Sequence, residues 1–180
     1  SSYWWDCSVG CPIIAGPDAG HNSDYAGFIP DDGTTDVILN LDNKIFGTWF
    51  LDFYMYVPSN KETSFNLQGE VPVTTGESML GNFIFNPSLT TPGQGFIDAG
   101  TADPNDDTYF DFPHDEWFRI VMGFDINAGM SAATWVMWVD NIEVVQPGTP
   151  LVDGNGNIPS HLGGVSFFSV SSDTSYYIDD

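Results

Sequence analysis

Basic side chains are scarce in this chain of 180 residues, where three lysines and arginines stand against 25 aspartates and glutamates. The formal net charge of -22 at pH 7 produces a field that repels phosphate backbones, which excludes nucleic acid as a partner. Such an excess of carboxylates costs self-repulsion, which bound divalent cations or a saline environment would relieve. Calcium binding and plain surface solubility are both open explanations of this acidity.

Cysteine is also scarce, and Cys7 and Cys11 are the only two in the sequence. Neither a second pair nor nearby histidines could complete a tetrahedral zinc site with them. A short-loop disulfide between Cys7 and Cys11 in an oxidising compartment is favoured over free thiols. This predicts a protein that is secreted or held at the cell surface.

Long apolar runs are absent, since no stretch approaches the roughly 18 to 20 apolar residues of a membrane helix. Residues 1 to 5 lack the basic start of a signal peptide, so if the protein is secreted, we expect this sequence to be its mature form. Residues 176 to 180 read as a strand cut off midway, which favours an excerpt of a longer protein. The sequence predicts a single domain over residues 1–180, without membrane insertion.

Helical periodicity is nearly absent as well. Short segments rich in aromatic and β-branched residues alternate instead with clusters of Gly, Pro, Asn, Asp and Ser, which predicts an all-β sandwich. The clearest strand covers residues 49–57, where Leu51, Phe53 and Met55 share a core face and Asp52, Tyr54 and Tyr56 share the opposite face. Other strands are predicted over residues 36–41, 64–68, 81–85, 95–99, 116–124, 134–139, 165–170 and 175–179, with residues 6–35 and 140–163 as long irregular stretches.

Several short motifs resemble one known kind of module. They are DVILNL at 36–41, GTW at 47–49, DFYMYVP at 52–58, FNLQ at 65–68, FPHDEWF at 112–118, FDIN at 124–127, WVDN at 138–141, LGGVSFF at 162–168 and YIDD at 177–180. Together they resemble a module of secreted Bacteroidetes proteins, many of them exported by type IX secretion. The resemblance covers about residues 24 to 180.

The resemblance implies an antiparallel jelly-roll of two sheets, of the concanavalin-like or laminin-G-like kind. It also implies an accessory role in attachment to glycans or cell surfaces. In related binding modules a calcium ion joins the N-terminal region to an aspartate of the last strand, so Asp179 is implied as a ligand, with Asp24 as its partner. The alternative is that Asp179 caps or pairs locally at the end of a strand.

Two acidic loops are further calcium candidates. Residues 153–157 and 103–107 repeat oxygen ligands at alternate positions, although both lack the later glutamate of an EF-hand. An Asn-Gly turn explains the first loop equally well.

Catalytic motifs are missing from the sequence. Laminarinase-type relatives of this fold carry Glu-x-Asp-x-x-Glu, because retaining glycosidases need two carboxyls about 5 Å apart, and no such motif occurs. The histidines His21, His114 and His161 fall in loop-like segments without a nucleophile motif beside them. We therefore expect no enzyme, with convergent chemistry in the long loops as the open alternative.

Sugar recognition combines aromatic faces with planar amides and charged groups, so we expect a glycan to bind at Asp52, Tyr54 and Tyr56. Asn66, Gln68 and Arg119 from neighbouring strands are expected to join them. The alternative is that the two tyrosines pack beneath a loop. The tryptophans Trp49, Trp117, Trp135 and Trp138 lie in predicted strands and are expected in the core, with the face of Trp117 and Trp138 left open.

The best-supported function is a non-catalytic, extracellular carbohydrate-binding or adhesion module that calcium stabilises. Its expected partner is a glycan or a cell-surface polysaccharide. The alternative is a structural subunit that assembles with copies of itself into a bacterial surface layer or filament, since the chain has few lysines to block pairing of strand edges.

Overall fold

A computed structural model describes residues 5–9, 20–22, 26–73, 79–101 and 103–180. Thirteen strands and two one-turn 3-10 helices lie within these residues. The strands are β1 (Trp5–Val9), β2 (Gly27–Ile29), β3 (Asp36–Lys44), β4 (Thr48–Tyr56), β5 (Thr63–Gln68), β6 (Met79–Phe85), β7 (Gln94–Asp98), β8 (Thr108–Asp111), β9 (Trp117–Asp125), β10 (Thr134–Val139), β11 (Ile142–Pro150), β12 (Leu162–Phe168) and β13 (Tyr176–Asp179). The 3-10 helices cover Pro87–Leu89 and Met130–Ala132.

The strands form two sheets in which every paired neighbour is antiparallel. The seven-stranded sheet has the order β1-β3-β12-β5-β6-β7-β8, and the six-stranded sheet has the order β11-β10-β9-β4-β13-β2. The prediction of an all-β antiparallel sandwich is confirmed. Among the described residues, no helix has the length and apolar character needed to cross a membrane.

The core lies between the two sheets and is rich in phenylalanine. Alternate residues of β4 and β9 are buried, because successive side chains of a strand point to opposite faces. The ring of Phe53 meets Phe65 edge to face at a centroid distance of 5.7 Å, and Phe65 stacks on Phe83 at 4.4 Å. Burial of each such ring contributes about 1.5–3 kcal/mol, so these aromatic contacts hold the sheets together.

Three expectations from the sequence are corrected by the fold. The stretch 140–163 is not irregular, because β11 occupies its first part and pairs with β10 despite Pro147 and Pro150. The stretch 6–35 contains β2 and most of β1. Trp49 is not a core residue, since 40% of it is exposed at the end of the sandwich, whereas Trp135 is buried as expected.

Candidate functional site

A row of four aromatic side chains crosses the outer face of the six-stranded sheet. Trp117 of β9 is paired in register with Tyr56 of β4, Tyr56 with Tyr177 of β13, and Tyr177 with Phe28 of β2. All four are half-buried and alternate with residues that point into the core. We call these four residues the aromatic row.

The rings of the aromatic row touch one another across the strands. Their centroids lie 5.7 Å apart between Trp117 and Tyr56, 6.0 Å between Tyr56 and Tyr177, and 4.8 Å between Tyr177 and Phe28. The interplanar angles of 60°, 80° and 30° make the surface ridged rather than flat. Such contacts fix ring orientations, so the row is a preorganised aromatic surface.

A charged pair lies beside the aromatic row. The guanidinium of Arg119 donates through Nε to Oδ1 of Asp52 at 2.8 Å and through Nη2 to Oδ2 of the same carboxylate. Side-chain exposures of 40% for Arg119 and 44% for Asp52 leave the pair open to solvent. The hydrogen bond from Arg119 lowers the pKa of Asp52, so the carboxylate stays ionised at neutral pH. This bidentate pair is a fixed set of polar groups on the face.

His21 covers part of this face. Its ring stacks on Tyr54 with a centroid distance of 3.6 Å and an angle of 16°, and its edge faces Trp117 at 6.2 Å. The backbone N–H of His21 donates to Oδ2 of Asp179 at 2.7 Å, which holds the segment against β13. No local pattern in the sequence indicated this role, because His21 and Tyr54 meet only through the fold.

The six predicted ligand-binding residues are divided between the two sheets. Asp52, Tyr54, Tyr56 and Arg119 come together on the outer face of the six-stranded sheet, where Tyr54 is paired in register with Arg119. Asn66 and Gln68 lie instead on the outer face of the seven-stranded sheet, because their neighbours in β5 point into the core between the sheets. They therefore cannot contribute to the same site.

Asn66 and Gln68 form part of a buried polar group. The amide Nε2 of Gln68 donates to Oδ1 of Asn66, and both residues are less than a tenth exposed. Ser166, the partner of Asn66 across to β12, donates through Oγ to Oδ1 of Asp36 at 2.6 Å. The two amides are thus bound to each other and the hydroxyl is bound to a carboxylate, whereas the predicted charged and aromatic groups lie on the outer face of the six-stranded sheet.

The predicted metal ligands are only partly within the described residues. Both oxygens of Asp179 accept backbone hydrogen bonds, Oδ2 from His21 and Oδ1 from Asp180 at 2.9 Å. Asp24, Cys11 and the side chain of Cys7 lie outside what the structure describes. Across the described residues, no three His, Cys, Asp or Glu side chains are grouped to hold a metal ion. Of the two predicted calcium ligands, the structure therefore describes Asp179 alone.

The two acidic loops are closed by their own hydrogen bonds. In the loop at 153–157, Oδ1 of Asp153 accepts the N–H groups of Asn155 and Asn157, at 2.9 and 2.7 Å. In the loop at 103–107, Oδ1 of Asp103 accepts the N–H of Asn105 at 3.0 Å. Hydrogen bonding to Asn105 lowers the pKa of Asp103. Both loops are Asx turns, in which the aspartate orders its own backbone.

The other two histidines have local partners. Nε2 of His114 accepts the backbone N–H of Gly93 at 2.7 Å, and its ring packs against Phe112. Nδ1 of His161 lies 2.8 Å from the hydroxyl of the adjacent Ser160. His114 therefore ties the segment before β9 to the turn before β7, which is a structural role.

Solved structures share this fold. The carbohydrate recognition domain of Emp46p is similar with a TM-score of 0.55 and 12% identity, covering 98% of this chain and 84% of that one. The potassium-bound form of that domain matches with a TM-score of 0.50 and 11% identity, and the match covers 99% of this chain and 88% of that one. Alginate lyase Aly36B in complex with alginate trisaccharide matches with a TM-score of 0.51 and 10% identity, and the match covers 87% of this chain and 79% of that one. No family profile matches the sequence, and no curated protein matches it. The sandwich therefore has the jelly-roll fold of these structures.

The comparison corrects the prediction that the chain is not an enzyme. A solved structure of the same fold is named an alginate lyase, so the fold serves enzymes as well as carbohydrate recognition domains. The prediction was wrong in its reasoning, because the absence of paired glycosidase carboxylates tests for one kind of hydrolysis only. Fold alone assigns neither role.

Proposed function

We propose that this chain is an extracellular carbohydrate-binding domain that holds a glycan on the outer face of its six-stranded sheet. The observation that carries the proposal is the aromatic row, four half-exposed rings in register across four neighbouring strands. The Arg119–Asp52 pair lies next to the row on the same face. Aromatic and fixed polar groups are the combination by which proteins bind sugars.

The length of the aromatic row suits a chain of sugars. Neighbouring strands lie about 4.8 Å apart, so the distance from β9 to β2 through β4 and β13 is roughly 14 Å. A surface of this length contacts more than one sugar ring. The bound glycan would cross the strands, with its apolar ring faces on the aromatic row and its hydroxyls near Arg119 and Asp52.

Similar folds support a glycan ligand. The structures compared above include a carbohydrate recognition domain and a lyase that holds an alginate trisaccharide. The resemblance of the sequence motifs to secreted Bacteroidetes modules supports export and attachment at a cell surface or polysaccharide. Calcium would join Asp179 to Asp24 and stabilise the N-terminal region in that role.

Replacement of the aromatic row by alanine tests the proposal. We expect Trp117→Ala and Tyr56→Ala each to weaken binding to soluble polysaccharides about tenfold, because an aromatic contact contributes on the order of 1 kcal/mol beyond its buried area. Affinity electrophoresis in gels that contain laminarin, xylan or galactomannan measures the change in retardation.

Tyr109→Ala is the matched control, since Tyr109 is an exposed aromatic residue of β8 on the other sheet. Thermal unfolding shows whether each variant is folded. An equal loss of polysaccharide binding in the control and in the variants of the aromatic row would contradict the proposal that the glycan binds to this face. Sedimentation velocity over a range of concentrations tests self-assembly, which stays a prediction.

A further inference from the structure

Every lysine and arginine of the sequence has a carboxylate partner. The chain contains three such residues, and all of them lie in described segments. Nζ of Lys44 lies 3.4 Å from Oδ2 of Asp42, and Nζ of Lys61 donates to Oδ2 of Asp31 at 3.0 Å. Arg119 binds both oxygens of Asp52. No lysine or arginine is left without a compensating carboxylate.

The proposed glycan-binding face follows the same pattern. Arg119 is its only lysine or arginine, and the bidentate contact with Asp52 neutralises that charge. His21 lies on the same face, with Nδ1 3.5 Å from Oδ2 of Asp180. Asp179 is paired in register with Tyr54, which places another carboxylate beside the aromatic row. The described residues of this face therefore carry no excess of positive charge.

A glycan that carries carboxylates or sulfates would be repelled by this face. The net charge of -22 gives the whole molecule a negative field, and like charges brought together in a binding site disfavour association. An acidic sugar would also lose water from its charged group without gaining a cation in return. An uncharged glycan meets neither penalty and still gains the aromatic contacts.

We infer that the aromatic face selects uncharged glycans and rejects acidic ones. This inference rests on the proposed function, because it names the class of ligand for the same surface. The Asp52 carboxylate serves as the selecting group: it holds Arg119 in place and cancels the one guanidinium that could bind an acidic sugar.

A matched pair of polymers tests the selection. Homogalacturonan can be prepared fully methyl-esterified, which is uncharged, or de-esterified, which carries a carboxylate on each unit. We expect the wild-type protein to bind the esterified polymer, or the neutral laminarin, xylan or galactomannan, at least tenfold more tightly than the de-esterified polymer and alginate. Calorimetry at neutral pH and moderate salt measures these affinities.

A variant of the ion pair tests the role of Asp52. Asp52→Asn removes the carboxylate that neutralises Arg119, so we expect it to bind de-esterified homogalacturonan and alginate at least tenfold more tightly than the wild type does. Asp111→Asn, which removes an equal charge from the exposed face of β8, is the control and should not change these affinities. If Asp111→Asn gained as much affinity for the acidic polymers as Asp52→Asn, the proposed role of the Arg119–Asp52 pair in selection would be overturned.

The possible outcomes separate the two proposals. Tight binding of acidic polymers by the wild type would overturn the charge selection and leave glycan binding on this face intact. Absence of binding to every polymer tested, neutral and acidic, would overturn both. Binding of neutral polymers together with a gain of acidic binding in Asp52→Asn supports both.

Discussion

Tyr176 is the largest fully buried side chain among the described residues, and it carries a polar hydroxyl into the core. The hydroxyl donates to the carbonyl of Ser64 at 2.9 Å and lies 3.4 Å from that of Phe168, which links β13 to the opposite sheet. Burial raises the pKa of Tyr176 far above its usual value, so the phenol stays protonated and remains a donor. The bond between the two sheets is thus available at any pH the protein meets.

Tyr176→Phe removes this hydroxyl while it keeps the ring. We expect the free energy of unfolding to fall by about 1–3 kcal/mol, because the carbonyl of Ser64 is left without this donor inside the core. Urea denaturation measures the change. Tyr177→Phe, in the aromatic row on the outer face, is the control and should alter stability little; equal losses in both variants would count against a specific role of the buried hydroxyl.

Asp32 is a second residue whose ionisation depends on the fold. It accepts hydrogen bonds from the Thr35 hydroxyl at 2.6 Å and from the backbone N–H groups of Thr34 and Thr35 at 2.8 Å each, and these bonds lower its pKa to about 2. A carboxylate whose pKa falls on folding stabilises the native state above its unfolded pKa of 3.8. That stabilisation is lost as the pH falls through about 2.

Asp32→Asn therefore has an effect that depends on pH. We expect the variant to melt at a lower temperature than the wild type at pH 6, and the gap to narrow as the pH falls from about 4 to about 2. Melting curves over this range, recorded by circular dichroism, check the prediction. Because general charge repulsion changes similarly in both proteins, a gap that stays constant with pH would show that the charge of Asp32 does not stabilise the fold.

At the scale of the elements, the residue pattern of a strand predicted which face its side chains occupy, but it did not predict which strands pair with it. The alternation in β4 correctly assigned Asp52, Tyr54 and Tyr56 to the face opposite the core, because that property is local to the strand. β5 lies between β6, the next strand of the chain, and β12, which comes about a hundred residues later, so the location of Asn66 on the other sheet was not readable from the sequence. β11 was missed because its proline and glycine residues resemble a loop.

Gly163 shows how closely β12 approaches the segment after β5. A Cβ at this position would lie 2.7 Å from both Cα and the backbone nitrogen of Glu70, which leaves no room for a side chain. We expect Gly163→Ala to lower the free energy of unfolding by about 1–3 kcal/mol, as overpacking against backbone typically does. Chemical denaturation measures this change in the free energy of unfolding.

Gly123→Ala is the control for that prediction. Its added Cβ would meet the side chains of Phe50 and Val136, at 3.0 Å each, on the outer face of the six-stranded sheet. Those side chains can move aside, so a smaller loss is expected than for Gly163→Ala. If Gly123→Ala lost as much stability as Gly163→Ala, the close approach of the backbone would not explain the loss in Gly163→Ala.

At the scale of the whole molecule, charge repulsion opposes folding. The carboxylates outnumber the basic residues 25 to three, and general salt screening should therefore raise the melting temperature. The predicted calcium ion would add a specific effect to this general one, because an ion bound only by the native state stabilises it by an amount that grows with the logarithm of its concentration relative to its dissociation constant.

Calcium removal separates the two effects. We expect calcium chloride to raise the melting temperature more than sodium chloride at the same ionic strength, and excess chelator to reverse the difference. Asp179→Asn should reduce the calcium-specific part, while Asp111→Asn should leave it unchanged. Equal shifts with the two salts would show that screening alone accounts for the stabilisation and that no calcium site exists.

The positions of β12 and β13 also determine when the fold can form. Each lies between two strands from much earlier in the chain, β12 between β3 and β5 and β13 between β2 and β4. During synthesis both sheets consequently exist as separate halves with unpaired edges until residues 162–179 become available. Contacts between such distant segments make folding slow. A domain that stays unfolded until residues 162–179 are available remains able to pass through a secretion channel up to that point, so the strand order itself is compatible with export before folding.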